Sequence, residues 1–218
     1  MKGLYIKDIR LLLKQKTFFL VIICLSIFNS LNLKNIAVVP SLMIFFLVSL
    51  VFTTIAYDEV DHGLIFLFTL PISRKKYVGE KYLLSIGTIG VALLLSLGII
   101  VVMNKIQNQS IAAEKLLFIF GFVCLLGLLY MSLLMPIYFK FGAEQSRLIL
   151  MLVIGTVLFL SFAGSYLAEK MDINVANKLN TILSQPAWLL ILVSLVIVAI
   201  AAALSYVISV SIVKKKEL

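Results

Sequence analysis

Charge is scarce in this sequence, and so are the side chains on which most catalytic sites depend. There is one histidine, His62, and there are two cysteines, Cys24 and Cys124. Both cysteines fall inside apolar runs, where a thiol behaves as a small hydrophobe, so nothing supports a disulfide or a metal pair. No H-E-x-x-H and no cysteine cluster offers a metal site. No G-x-x-x-x-G-K-[ST] occurs, which excludes a P-loop for ATP phosphates. What is abundant is apolar matter: 62% of the 218 residues are hydrophobic, 13% are charged, and the mean hydropathy is +1.15. Soluble domains carry about 25% charged residues and about 45–50% apolar ones. The composition is that of a polytopic membrane protein with a single domain, 1–218, and no linker or tail long enough for a second.

A spanning helix needs roughly 20 mostly apolar residues. Six runs qualify, at about 17–33, 37–57, 83–103, 116–139, 147–168 and 187–213. Backbone groups in lipid must be satisfied within the segment or within a closed barrel, and barrel-type alternation is absent, so the runs read as helices. The fold class is therefore all-α, with six transmembrane helices. The first run has no small-residue cleavage site after it, which reads as an uncleaved span rather than a signal peptide.

Lysine and arginine set the orientation. With the N-terminus in the cytoplasm, the inner side holds Lys2, Lys7, Arg10, Lys14, Lys16, Arg74, Lys75, Lys76, Lys81, Lys140, Arg147 and Lys214–Lys216. The outer side holds Lys34, Lys105, Lys115, Lys170 and Lys178. Both termini are then cytoplasmic. The formal net charge of +9 is explained by this asymmetry and by attraction to anionic lipid, with no module left over for nucleic acid. Ahead of the first run, Lys7, Arg10 and Lys14 share one helical face and Ile6, Ile9 and Leu13 another. This spacing predicts an amphipathic helix on the inner leaflet, the alternative being a plain charged leader. In 169–186, Met171, Val175, Leu179 and Ile182 recur at helical spacing and predict a short outer helix before the last span; a loop with the same pattern by chance is the alternative.

The spans hold almost no ionisable residue, which disfavours an intramembrane proton or ion relay. Asn29, Ser49, Thr53, Thr88 and Ser132 are candidates for a permeation path, and equally for contacts between spans. Pro136 removes the donor to the carbonyl of Ser132 and predicts a kink.

Charges concentrate in one place, Tyr57–Tyr82, which reads YDEVDHGLIFLFTLPISRKKYVGEKY. A charge at the bilayer centre costs roughly 2.5–3.5 kcal/mol on insertion scales, so this segment is expected in water or at the interface. Asp58 and Glu59 close the second span. Gly63–Leu70 is apolar but too short to cross. Pro71 breaks it, and Ser73 is placed to cap a helix opened by Arg74 that runs through Lys81 into the third span. The loop reads either as a connector with snorkelling lysines or as a docking element.

The pattern D-E…G…T-L-P-I-S-R-K-K-Y-V-G-E-K-Y, with the opening K-D-I-R-L-L-L-K, resembles the permease subunits of ABC type-2 exporters. The resemblance extends over essentially the whole chain, and is to small bacterial members that export peptides or confer resistance to antimicrobial peptides. It implies a non-catalytic subunit that binds no cofactor, with ATP and Mg on partner chains. Two ABC ATPase subunits and a second permease copy or related permease are the implied partners, besides membrane lipids. The loop between second and third spans would supply a cytoplasmic coupling helix. Asp58, Glu59, Asp61, His62 and Gly63 are then the coupling candidates, with Leu70, Pro71, Ser73 and Arg74 bracing them and Lys81 positioning the third span. The lysine bias and the long Ile, Leu and Phe runs fit an AT-rich bacterial genome, and the expected location is then the bacterial cytoplasmic membrane. The resemblance thus gives an ATP-driven exporter of a hydrophobic or amphipathic cargo, with a peptide as the leading candidate. The competing reading is a sensor, immunity or assembly protein that needs no ATPase.

Overall fold

The computed structural model describes residues 2–31, 36–59, 63–69, 72–107, 112–170 and 187–215, with residues 2, 65, 68, 143, 144, 146–170 and 187–191 described by backbone alone. Among the described residues every regular element is a helix: α1 (Lys2–Lys14), α2 (Lys16–Ser30), α3 (Val38–Glu59), α4 (Gly63–Thr69), α5 (Arg74–Ile106), α6 (Ala113–Lys170) and α7 (Ala187–Lys215). α6 is broken at Gly142, whose φ of 71° ends one helix and begins another.

Four helices among the described residues are long and apolar enough to cross a bilayer: Val38–Glu59, Arg74–Ile106, Ala113–Gly142 and Leu192–Lys215. They coincide with the second, third, fourth and last of the expected spans. α1 and α2 meet at 64° and count as a fifth only if the bent pair is one span. The bend falls at Gln15, within two residues of where the first span was expected to begin. At about 1.5 Å per residue, the 15 residues of α2 reach about 22 Å, short of a hydrocarbon core of about 30 Å. The expected fifth span, 147–168, is helical in backbone. The expected outer helix lies almost wholly outside the described residues.

α3 is the axis of the bundle. It packs on α5 and α6, while α7 packs on α6 and α5, and α1 leans on α3 and α5. Val48, Val51, Phe52 and Ile55 of α3 are buried with Tyr77 and Val78 of α5 and Met131 and Met135 of α6. Phe52 stacks on Tyr138 at 4.5 Å between ring centroids. By contrast α2, α5 and α7 turn broad apolar faces outward, among them Phe28, Leu94, Leu97 and Val207. Such continuous exposed apolar surface is what a lipid-facing helix presents.

α5 is the longest uninterrupted helix, with 33 residues, so it is about 50 Å long and exceeds the hydrocarbon core by several turns. Part of the excess is its charged first two turns. Ser73 caps them as expected: its backbone is extended (φ −77°, ψ 145°) and its hydroxyl accepts a hydrogen bond from the Lys76 amide at 3.4 Å.

Candidate functional site: a buried ion network where three helices meet

Helical spacing brings the charged side chains together. Leu4, Asp8 and Leu12 recur every four residues and form the inward face of α1, all three buried. Thr54 and Asp58 stand one turn apart on α3, and Tyr77 and Lys81 one turn apart on α5. The three pairs of turns converge on one point.

At that point Lys81 is fully buried and all three of its N–H donors are used. Its Nζ bonds Asp8 Oδ2, lies 2.7 Å from Asp58 Oδ2, and donates to Thr54 Oγ1 at 3.0 Å. Asp58 is equally committed: Oδ1 accepts from Lys7 Nζ, and Oδ2 also accepts from the Tyr77 hydroxyl at 3.1 Å. Lys7 Nζ sits 3.3 Å from Asp8 Oδ1 as well, closing a ring of two cations and two anions. Burial pulls the Lys7 pKa down, but the Asp58 and Asp8 carboxylates more than offset this and hold it above the ordinary 10.5. Lys7 alone reaches solvent, with about a third of its side chain exposed; the other three charged groups are at most 4% exposed.

Beside the ring lies Glu80, 3% exposed, neither of whose carboxylate oxygens finds a hydrogen-bond donor among the described residues. The site therefore holds three carboxyl groups against two ammonium groups. Pairs of this kind join helices firmly because removing any one charge strands another in a dry place.

This corrects one expectation. The charges of Tyr57–Tyr82 were expected in water or at the interface. Asp58, Glu80 and Lys81 are instead folded into protein, where paired ionisable groups are tolerated. Asp58 thus braces the base of the loop, its carboxylate already spent on three partners. Lys81 holds the start of α5 to α1 and α3. The expectation passed over Asp8, Lys7, Tyr77, Thr54 and Glu80 as members of a site.

The other loop candidates make separate ties. Gly63 opens α4 so close to α3 that a Cβ there would lie 2.8 Å from the Asp58 carbonyl oxygen. The Glu59 carboxylate reaches the break in α6, with Oε2 2.6 Å from where a Gly142 Cβ would stand. Arg74 donates to the carbonyl oxygens of Lys214 and, at 3.2 Å, Val213, in the last turn of α7. Asp61, His62, Leu70 and Pro71 lie outside the described residues.

The candidate path residues are not brought together. Asn29, Thr53 and Ser132 donate to carbonyls of their own helices, as do Ser49 and Thr88. Ser49 also meets Tyr130 Oη at 3.2 Å, and Gln15 of the α1–α2 bend donates to Thr53 at 3.3 Å. The carbonyl of Ser132, freed by Pro136, accepts from Ser205 of α7. Ser205 and Ser209 both contact Tyr82 Oη, at 2.6 and 2.9 Å. A neutral hydroxyl chain thus joins α5, α6 and α7 next to the charged ring.

The sequence model of the ABC-2 family transporter proteins matches residues 3–214. The chain belongs to the ABC-2 transporter family. No curated protein matches it. ABC-2 permeases are normally non-catalytic membrane subunits that work with ABC ATPase subunits, and the apolar helices of this ABC-2 protein are those of a multi-pass membrane protein.

Proposed function

We propose that this ABC-2 protein is the permease subunit of an ATP-driven exporter, moving a hydrophobic or amphipathic cargo, a peptide in the first instance, out of a bacterial cell. It crosses the plasma membrane six times with both termini inside, and α1 lies on the inner leaflet. Two ATPase subunits carry ATP and Mg, and the chain pairs with a second permease, identical or related. The observation that carries this reading is the ring formed by Lys7, Asp8, Asp58 and Lys81. It binds the first turns of α5, the end of α3 and α1 into one rigid piece directly beside the α4 segment. A push on that loop is then delivered to two long helices at once rather than absorbed in a flexible connector. Glu59, Gly63, Ser73 and Arg74 transmit the same push to α6 and α7, and Asp61, His62, Leu70 and Pro71 belong to the loop that meets the ATPase.

The experiment is reconstitution with candidate ABC ATPase subunits from the same cell. The expected result is ATPase activity that rises when this chain is present and falls in Asp58→Ala, which still inserts in the membrane. Full activity of this chain in vesicles without nucleotide favours an ATPase-independent sensor or immunity role and overturns the proposal.

A further inference from the structure

An apolar groove of about 410 Å³ runs between α1 and the flank of the bundle. Tyr5, Ile9 and Leu12 of α1 form one wall, Leu47 of α3 the floor, and Leu84 and Gly87 of α5 the other wall. The volume is within the range of about 300–1,000 Å³ typical of small-ligand sites. Gly87 matters here because a Cβ at that position would meet Tyr5 Oη at 3.5 Å, so larger side chains would intrude on the groove. The Tyr5 hydroxyl makes no hydrogen bond among the described residues and is free to donate.

The charge around the groove is one-sided. Arg10, Lys14 and Lys16 are exposed on the outer face of α1 and at the bend. None forms an ion pair among the described residues, and the one acid of α1, Asp8, is turned inward and neutralised. An apolar slot alongside a spanning helix, with unpaired cations on the helix that roofs it, matches a molecule with a long hydrocarbon tail and an anionic head.

We infer that this groove is a binding site for one anionic phospholipid of the inner leaflet, its acyl chain lying against Gly87 and Leu84 and its phosphate on Arg10 and Lys14. The inference rests on the reading of α1 as an inner-leaflet helix. The lipid fills the slot beside the direct Asp8–Lys81 contact of α1 with α5 and so adds to the hold of α1 on the bundle.

The test is native mass spectrometry of the purified full-length chain, delipidated and then titrated with palmitoyl-oleoyl phosphatidylglycerol or with the matching phosphatidylcholine. Wild type is expected to retain one phosphatidylglycerol in preference to phosphatidylcholine. Arg10→Gln with Lys14→Gln is expected to weaken phosphatidylglycerol binding roughly thirtyfold, at the usual surface contribution of each basic residue, and to leave phosphatidylcholine unchanged. Gly87→Leu, or Val91→Trp at the exposed lip should the first variant fail to fold, is expected to abolish both. Equal retention of both lipids by wild type, or unaltered binding in Val91→Trp and in the double variant, overturns the inference. These readouts involve no ATPase, so loss of ATPase coupling in the reconstitution above leaves them unaffected.

Discussion

Two neighbouring residues of α5 anchor two different kinds of joint. Lys81 sits in a closed ring of charges that holds α1, α3 and α5 together. Tyr82, the next residue, heads a chain of hydroxyl groups that joins α5 to α7 and, through the Ser132 carbonyl, to α6. The first joint is all-or-none, because a charge left alone in a dry site costs far more than a pair returns. The second is graded, since a neutral hydroxyl can turn to another acceptor or release its partner cheaply. Around Lys81 α5 is thus held by paired charges, and around Tyr82 by neutral hydroxyls.

The largest test of the division is to open the ring. Asp58→Ala is expected to cost about 3–5 kcal/mol, because Lys7 and Lys81 lose one of their two shared carboxylates and Tyr77 loses its acceptor. A drop in the thermal midpoint of the detergent-solubilised protein measures it. Replacing Asp8 by Leu and Lys81 by Met together is expected to cost less than Lys81→Met alone; additive losses would mean that the two groups do not form one unit. Next in size is Gly142→Ala, at about 1–3 kcal/mol, since the residue stands at φ 71° and its Cβ would strike the Glu59 carboxylate. Pairing it with Glu59→Ala is expected to recover the steric part only.

On the graded side, Tyr82→Phe is expected to cost about 0.5–1.5 kcal/mol, with insertion and ATPase-subunit binding unchanged. A loss as large as that of Asp58→Ala would erase the distinction between the two joints. The smallest effect concerns pH. The folded pKa of Lys7 is raised above the ordinary 10.5, so its contribution is complete below that value and fades as pH rises through the folded one. Lys7 is partly exposed and its share is correspondingly discounted. Thermal midpoints recorded from pH 8 to about 12 should fall at the alkaline end in wild type, and Lys7→Gln should flatten that fall.

Much of the frame was legible in the sequence. The apolar runs marked the helices that now stand as α3, α5, the first part of α6, and α7, because length and hydropathy suffice for that. Ser73 announced its cap, and Pro136 announced a carbonyl in need of a donor, though not that Ser205 would supply it. The ring was harder to see because it is made of pairs far apart in sequence. Yet one signal was available. Asp8 is the only acid ahead of Asp58, and it stands between Leu4 and Leu12 on a second apolar stripe of α1, beside that of Ile6, Ile9 and Leu13. An acid at the centre of a buried stripe needs a cation facing it, and Lys81 is that cation. Placing the charges of Tyr57–Tyr82 in water or at the interface treats lipid as the only other solvent. A protein interior that carries its own counter-charges is a third.

The grip of Arg74 on the last carbonyls of α7 has a practical corollary for anyone building reporters. A fluorescent or affinity module fused so that a helix runs on from Lys215 would set ordinary i to i+4 donors in competition with the guanidinium for those carbonyls. Such a fusion is expected to loosen the tie between α5 and α7 while leaving both helices in place. A short glycine spacer at the junction would leave the latch undisturbed.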